Sequence, residues 1–307
     1  MLRVFEQTIN GLLLGCNYGL IAIGFSLFFG TLNVVHFSHG DVCILGSFVL
    51  LILYAVGSMI GLFDLFPPGI AILFVILGSV IVTGAIGMLI EQLVVKPFRY
   101  VTLLMSLVAT SALGVIIRET IKLSYPHGAN PQTFPRLLPE GSFTLGWFSF
   151  RYDNLIILAV TFGLLAALFL FIKHTRTGRA IRAISQDMEA ATMMGVNLNT
   201  TIAAAFLIGS GLGAVAGILN GVYIGIIRFD MGLMAGIKGW SAAVIGGLGN
   251  IYGAIWGGLL FGFVETFVAA FIPGGTAYKD VFAFLVVIFF LVFKPSGIVG
   301  EKVYEKV

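Results

Sequence analysis

Long apolar runs, each close to the roughly 20 residues that an α-helix needs to cross a bilayer, divide this chain at about 9–31, 42–63, 70–95, 102–121, 155–172, 200–227, 251–272 and 280–293. A shorter run over 236–249 has the length of half a crossing. In lipid, every backbone polar group must be satisfied within its own segment, so such runs read as helices. The pattern predicts an all-α polytopic transmembrane helix bundle of about eight full spans plus one short or re-entrant helix. Residues 1–307 then form a single transmembrane domain.

The polar stretches between the runs set the orientation. Residues 173–199 are polar and basic, and segments of that kind collect on the cytoplasmic side. Counting spans backwards puts 96–99, with Lys96 and Arg99, on the same side and 123–154 outside. That external loop carries Pro126, Gly128, Pro131, Pro135 and Pro139, followed by a hairpin pattern over 142–152 with Phe143, Leu145 and Trp147 alternating. Counting forwards puts Lys294, Lys302 and Lys306 in the cytoplasm and the N-terminus outside, with Arg3 the one exception to the charge rule.

Composition narrows the class further. Apolar residues make up 59% and charged residues only 10%, with a mean hydropathy of +1.06, against about a quarter charged in soluble proteins. This is an integral membrane protein. The first run is longer than a signal-peptide core and has no small-x-small cleavage pattern, so it reads as a retained span. The net charge of +3 sits mainly in short loops beside the spans, which is the positive-inside pattern and not a nucleic-acid surface. Cys16 and Cys43 lie within apolar runs without ligand spacing. Gly209, Gly213, Gly217, Gly221 and Gly225, and likewise Gly11, Gly15 and Gly19, recur every fourth residue and predict smooth faces for close helix packing.

Two runs are interrupted by polar, glycine-containing sequence, at 31–41 and 228–239. Interrupted spans at related places in two halves point to a transport pathway. In the first, Asn33, His36, Ser38, His39 and Asp41 form the densest polar cluster between spans. It reads first as a helix junction that satisfies free backbone groups, second as the lining of a substrate path, and third as a His-x-x-His-plus-Asp metal site lacking a fourth ligand. Glu91, Arg118, Glu119 and Glu265 fall within or at the ends of apolar runs and read as snorkelling charges. The chain carries no Gly-x-Ser-x-Gly, His-Glu-x-x-His or phosphate-loop motif, so it is not expected to be an enzyme, and any ATP is bound by another polypeptide.

Within 173–199, Ile181, Ile184, Met188 and Ala191 recur at helical spacing opposite Arg179, Arg182, Gln186 and Glu189, and Gly195 is placed to stop the helix. Such a helix either lies on the membrane or seats its apolar residues in a groove on a partner.

Glu189, Ala190, Ala191 and Gly195 fit the E-A-A-x-x-x-G loop of bacterial ABC importer permeases, without the downstream I-x-L-P of the longer version. Stretches 9–12 (INGL), 18–24 (YGLIAIG), 33–41 (NVVHFSHGD), 96–99 (KPFR), 240–247 (WSAAVIGG) and 294–298 (KPSGI) are similar, in order, to landmarks of the LivH-type permeases of branched-chain amino-acid importers. Urea and short-amide permeases belong to the same group. The resemblance implies a subunit of the bacterial inner membrane that pairs with a second homologous permease. It also implies two ATP-binding subunits beneath and an external solute-binding protein, with no cofactor or metal held by this chain.

Carried over, Arg179, Arg182, Asp187, Glu189, Ala190, Ala191 and Gly195 become the ATPase-coupling surface. Asn33, His36, Phe37, Ser38, His39, Asp41, Trp240 and Ser241 become candidates for the substrate path. The competing readings are a urea or short-amide importer permease, and an ion-coupled secondary transporter or channel, which predicts paired ionisable groups deep in the membrane. An intramembrane enzyme built on Ser38 with His36 or His39 is the third.

Overall fold

The structure is a computed structural model that describes residues 2–99, 102–139, 141–145 and 148–299. Its helices are α1 (Leu2–Leu32), α2 (His39–Met59), α3 (Leu62–Leu65), α4 (Pro68–Ile90), α5 (Leu103–Ser124), α6 (Tyr152–His174), α7 (Arg176–Gln186), α8 (Met188–Met193), α9 (Leu198–Ile224), α10 (Met231–Gly246), α11 (Ile251–Phe271) and α12 (Gly275–Phe293). Among the described residues, α1, α2, α4, α5, α6, α9, α11 and α12 are long and apolar enough to cross a membrane. The polytopic α-bundle expected from the hydrophobic pattern is what the chain forms.

The short element is α10, and it starts five residues before the expected 236. Sequence 228–239 looks helix-breaking because of its glycines, yet Gly232 and Gly236 sit inside α10 against the backbone of Gly40 and Asp41 in α2. They are packing glycines, and the true break lies upstream, where Gly225 ends α9 in the left-handed conformation at φ 80°. Gly225 therefore drops out of the smooth face proposed for that helix.

Gly221 meets the Phe134 ring of the long loop and not a helix, while the other recurring glycines pack against helices. A Cβ on Gly258 or Gly262 of α11 would fall on the backbone of α1 at Gly19 or Gly15. In α9, Gly209 faces the Phe28 ring, Gly213 faces Cys43 and His39, and Gly217 faces the Cys43 carbonyl. Lipid tails are as apolar as the helices, so close van der Waals contact of this kind drives association. α1 and α9 form the buried centre, while α6 and α12 are largely exposed at the periphery.

The connections gather at two ends. At one, Phe5 meets Phe150 edge-on at 5.9 Å, so the N-terminus lies beside the long loop. There β2 (Ser142–Leu145) and β3 (Phe148–Arg151) form the expected hairpin. β1 (Gln132–Thr133) pairs with β4 (Ile226–Ile227) after α9, which the sequence did not signal. Trp147, Lys302 and Lys306 lie outside the described residues. At the other end, Arg99 donates to Asn199 Oδ1 at 2.8 Å, and Ile298 N–H donates to the Ile245 carbonyl at 2.8 Å. The 96–99 corner and the C-terminal segment thus share the α7 and α8 end, in the order that span counting requires.

Candidate functional site

α1 stops where Asn33 turns left-handed at φ 53°, a conformation that asparagine tolerates better than most residues. The chain then folds back among the helices. Val35, His36, Ser38, His39 and Asp41 are all buried, and Phe37 is 38% exposed. His36 packs edge-on against Phe28 at 5.4 Å and Phe206 at 5.3 Å, with Nε2 3.1 Å from Ser38 Oγ. His39 opens α2 between Phe25 and Phe28, each with its ring centroid 5.0 Å away. Edge-to-face rings of this kind fix imidazoles tightly.

The two histidines pack against the shared Phe28 ring, His36 with Phe206 and His39 with Phe25, and no three His, Cys, Asp or Glu side chains converge among the described residues. Ser38 and His36 are hydrogen bonded, but both are sealed inside the bundle and His36 Nδ1 has no protein partner. A nucleophile and base need a third group to orient the base, and these have none.

Asp41 is wedged where glycines leave room, against Gly114 of α5 and Gly232 of α10. Its Oδ1 lies 3.8 Å from Arg118 Nε. Thr110, also on α5, accepts from Phe37 N–H at 3.3 Å and donates to the Ser106 carbonyl at 2.9 Å. The 33–41 segment is thus held between α1, α5, α9 and α10, inside the bundle.

α10 brings in the second half of the candidate path. Trp240 meets Phe25 (5.6 Å) and Phe29 (6.2 Å) edge-on and Phe37 (6.4 Å) at a tilt, joining segments more than 200 residues apart in the chain. Ser241, the next residue, is buried in the packing of α10. Leu233 and Met234 are exposed, with Ile237, Trp240 and Val244 half-buried along the same helix. With Phe37 they make an apolar strip along the outside of α10.

The sequence reading missed the most charged element of the bundle. Lys238 Nζ lies 2.9 Å from Glu265 Oε1 and 2.7 Å from Asp280 Oδ1. Lys279 Nζ lies 2.7 Å from the same Glu265 oxygen, and Tyr18 donates to Glu265 Oε2 at 2.7 Å. Two cations and two anions from three helices balance, with a tyrosine hydroxyl from α1. Glu265, read as a snorkelling charge, is 2% exposed. Glu91 is likewise buried and paired with Arg99, and Arg118 faces Asp41; only Glu119, paired with Lys122 in the open, fits the surface reading. The available signal was Lys238 itself, a lone cation in an apolar half-span, which has to find a partner.

Segment 173–199 also differs from expectation. It is two helices, because Asp187 at φ −158° leaves α7 and caps α8, its Oδ1 accepting from Ala190 N–H at 2.9 Å. Ile181 and Ile184 are buried where α7 packs on α6, α1 and α9, and Ala191 of α8 is buried beside α7. Ile181 and Ile184 thereby hold the segment in place.

What this end presents is Arg179, Arg182, Asp187, Glu189, Ala190 and Gly195, all exposed. Met193 and Met194 stand out beside them at 85% and 86% exposure. Gly195, at φ 88°, ends α8 as expected. Its N–H bonds to the Thr192 carbonyl and that of Val196 to the Ala191 carbonyl, the paired pattern of a Schellman stop.

A family model described as branched-chain amino acid transport system / permease component matches residues 7–291. The chain is 38% identical over 307 residues to the high-affinity branched-chain amino acid transport system permease protein BraD of Pseudomonas aeruginosa, covering 98% of this chain and 97% of that protein. It is 35% identical over 311 residues to the permease protein LivH of Escherichia coli K12, covering 100% and 98%. A probable LivH permease of Methanocaldococcus jannaschii is 29% identical over 293 residues, covering 92% and 88%.

Proposed function

The chain belongs to the branched-chain amino acid transport permease family, and from that premise we propose that it is one permease subunit of an ATP-driven importer for branched-chain or other small amino acids. Its single membrane domain sits in the bacterial inner membrane, with α7 and α8 in the cytoplasm. It lines the passage together with a second homologous permease, above two ATP-binding subunits and below an external solute-binding protein. The observation that carries the reading is the tip of α8, where Glu189, Ala190 and Gly195 stand exposed beside two bare methionines. Flexible, polarisable methionines suit a surface that docks onto a partner.

The mechanism follows from linkage. ATP closes the partner ATPases, α8 moves with them, and the permease pair shifts between states open to either side. Because Ile181 and Ile184 fasten α7 to the bundle, displacement of α8 is delivered to the spans and not absorbed in a loose loop. Asn33 and Phe37, the exposed residues of the 33–41 segment, and the apolar strip on α10 face the passage, and no covalent chemistry is assigned to this chain.

One observation favours a second reading. The charges around Glu265 are the paired ionisable groups that an ion-coupled transporter would carry.

The deciding experiment reconstitutes the chain with its co-purifying subunits in proteoliposomes and follows leucine, urea and acetamide uptake with ATP inside. Uptake of leucine that needs ATP and ignores a protonophore supports the importer. Uptake that needs an ion gradient and no ATP overturns it in favour of the second reading, and uptake of urea or amide alone moves the substrate class.

A further inference from the structure

Arg99 is an arginine whose side chain is only 8% exposed, at the corner between α4 and α5. Its Nη2 donates to Glu91, which lies in a π-helical turn (Glu91–Val95) that continues α4. Its Nη1 donates to Asn199 Oδ1 at 2.8 Å. π-turns cost hydrogen-bond geometry and recur at functional positions. Here the turn brings a buried carboxylate onto the guanidinium. Arg99 Nε is buried without a partner, so the side chain is committed to these two legs.

Each leg leads somewhere. Asn199 is the second residue of α9, four residues after the Gly195 stop, and its neighbour Asn197 caps α9 by accepting from Thr200 N–H. This is the point where the α8 segment enters the bundle. On the other side, Ser106 in the first turn of α5 donates to the Phe98 carbonyl at 3.1 Å. One turn further, Thr110 holds Phe37 N–H at 3.3 Å. Two turns beyond that, Arg118 faces Asp41. Contacts thus run from the first turn of α9, which follows the α8 segment in the chain, through Arg99 and along α5 to the 33–41 segment.

We infer that Arg99 is a positioning residue that transmits the displacement of α8 to α5 and thereby to the 33–41 segment. This rests on the importer reading. An arginine suits the task because its planar fork holds two acceptors at a fixed angle, which a lysine ammonium does not.

The test uses the complete complex in proteoliposomes, measuring leucine uptake and ATP hydrolysis on the same preparation. Arg99→Lys keeps the charge beside Glu91 and loses the fork. Asn199→Ala removes only the second leg and leaves the Asn197 cap in place, so it retains a folded protein if the arginine variant does not. Both are expected to assemble with the ATPases and hydrolyse ATP near the wild-type rate, while solute moved per ATP falls about tenfold, the scale of a lost charge-assisted bond in a coupling pathway. An unchanged ratio of uptake to hydrolysis in Asn199→Ala overturns the inference. Absence of ATP-driven uptake in the unaltered complex overturns the importer reading instead.

Discussion

Lys238 and Glu265 form an ion pair across α10 and α11 with 2.9 Å between Nζ and Oε1 and both side chains buried. Desolvated pairs contribute little over an apolar replacement, but removing one partner strands the other and costs about 3–5 kcal/mol. Glu265→Gln leaves Lys238 and Lys279 facing each other across one amide, with only Asp280 to balance them. Lys238→Met leaves Glu265 its Lys279 and Tyr18 partners. The expected order of thermal stability in detergent, read by size-exclusion after heating, is wild type, then Lys238→Met, then Glu265→Gln. Glu265→Gln at or above Lys238→Met would show that the network is not what fixes α10.

Glycines that touch backbone should behave differently from glycines that touch nothing. A Cβ at Gly258 falls on the backbone of Gly19, whereas one at Gly163 of α6 meets nothing within 4 Å. Gly258→Ala has to push α1 and α11 apart, at about 1–3 kcal/mol for overpacking. Gly163→Ala gains helix propensity, at most about 1 kcal/mol. Equal melting temperatures for the two variants would contradict the packing described for α1 and α11.

The legibility of this chain divides along the same line. Spans, the short helix, the hairpin and the glycine faces were readable because each is a local pattern whose period or length has one solution in lipid. The charge network was not readable, because Tyr18, Lys238, Glu265, Lys279 and Asp280 are spread over more than 260 residues, and only packing shows that they meet. The break at Asp187 was hidden for another reason. The apolar spacing of Ile181, Ile184, Met188 and Ala191 continues through it, while one capping carboxylate ends one helix and begins the next. Periodicity also cannot say which molecule an apolar face meets, so residues expected to grip a partner grip their own bundle.

The buried face of α7 and the exposed tip of α8 should respond to substitution in opposite ways. Met193→Glu and Met194→Glu should leave the permease as stable as wild type, since both side chains are exposed. They should weaken its hold on the ATP-binding subunits proposed above by about tenfold or more, the scale of an interface anchor. Ile184→Ala, buried under α7, should lower the melting temperature, at about 2–5 kcal/mol for a lost core isoleucine. Co-purification of the subunits and a melting curve on each variant separate the two effects. Methionine variants that keep full ATPase association would remove α8 as the docking tip.

Asp41 and Arg118 give an asymmetric case. Asp41 is 4% exposed, and its partner's side chain is 18% exposed at a separation of 3.8 Å. Asp41→Asn leaves a guanidinium that is already partly exposed at the edge of the bundle, on a long flexible stem that can move. Arg118→Gln leaves a carboxylate enclosed by Gly114 and Gly232, with its ion-pair partner among the described residues removed. An uncompensated buried anion is the costlier outcome, so Arg118→Gln should melt below Asp41→Asn. Combining the two changes should recover part of the loss, because the amide no longer needs a cation. Melting curves of the two single variants and the double variant test this directly. A double variant less stable than Arg118→Gln would mean that the pair is held by geometry around Asp41 and not by its charge.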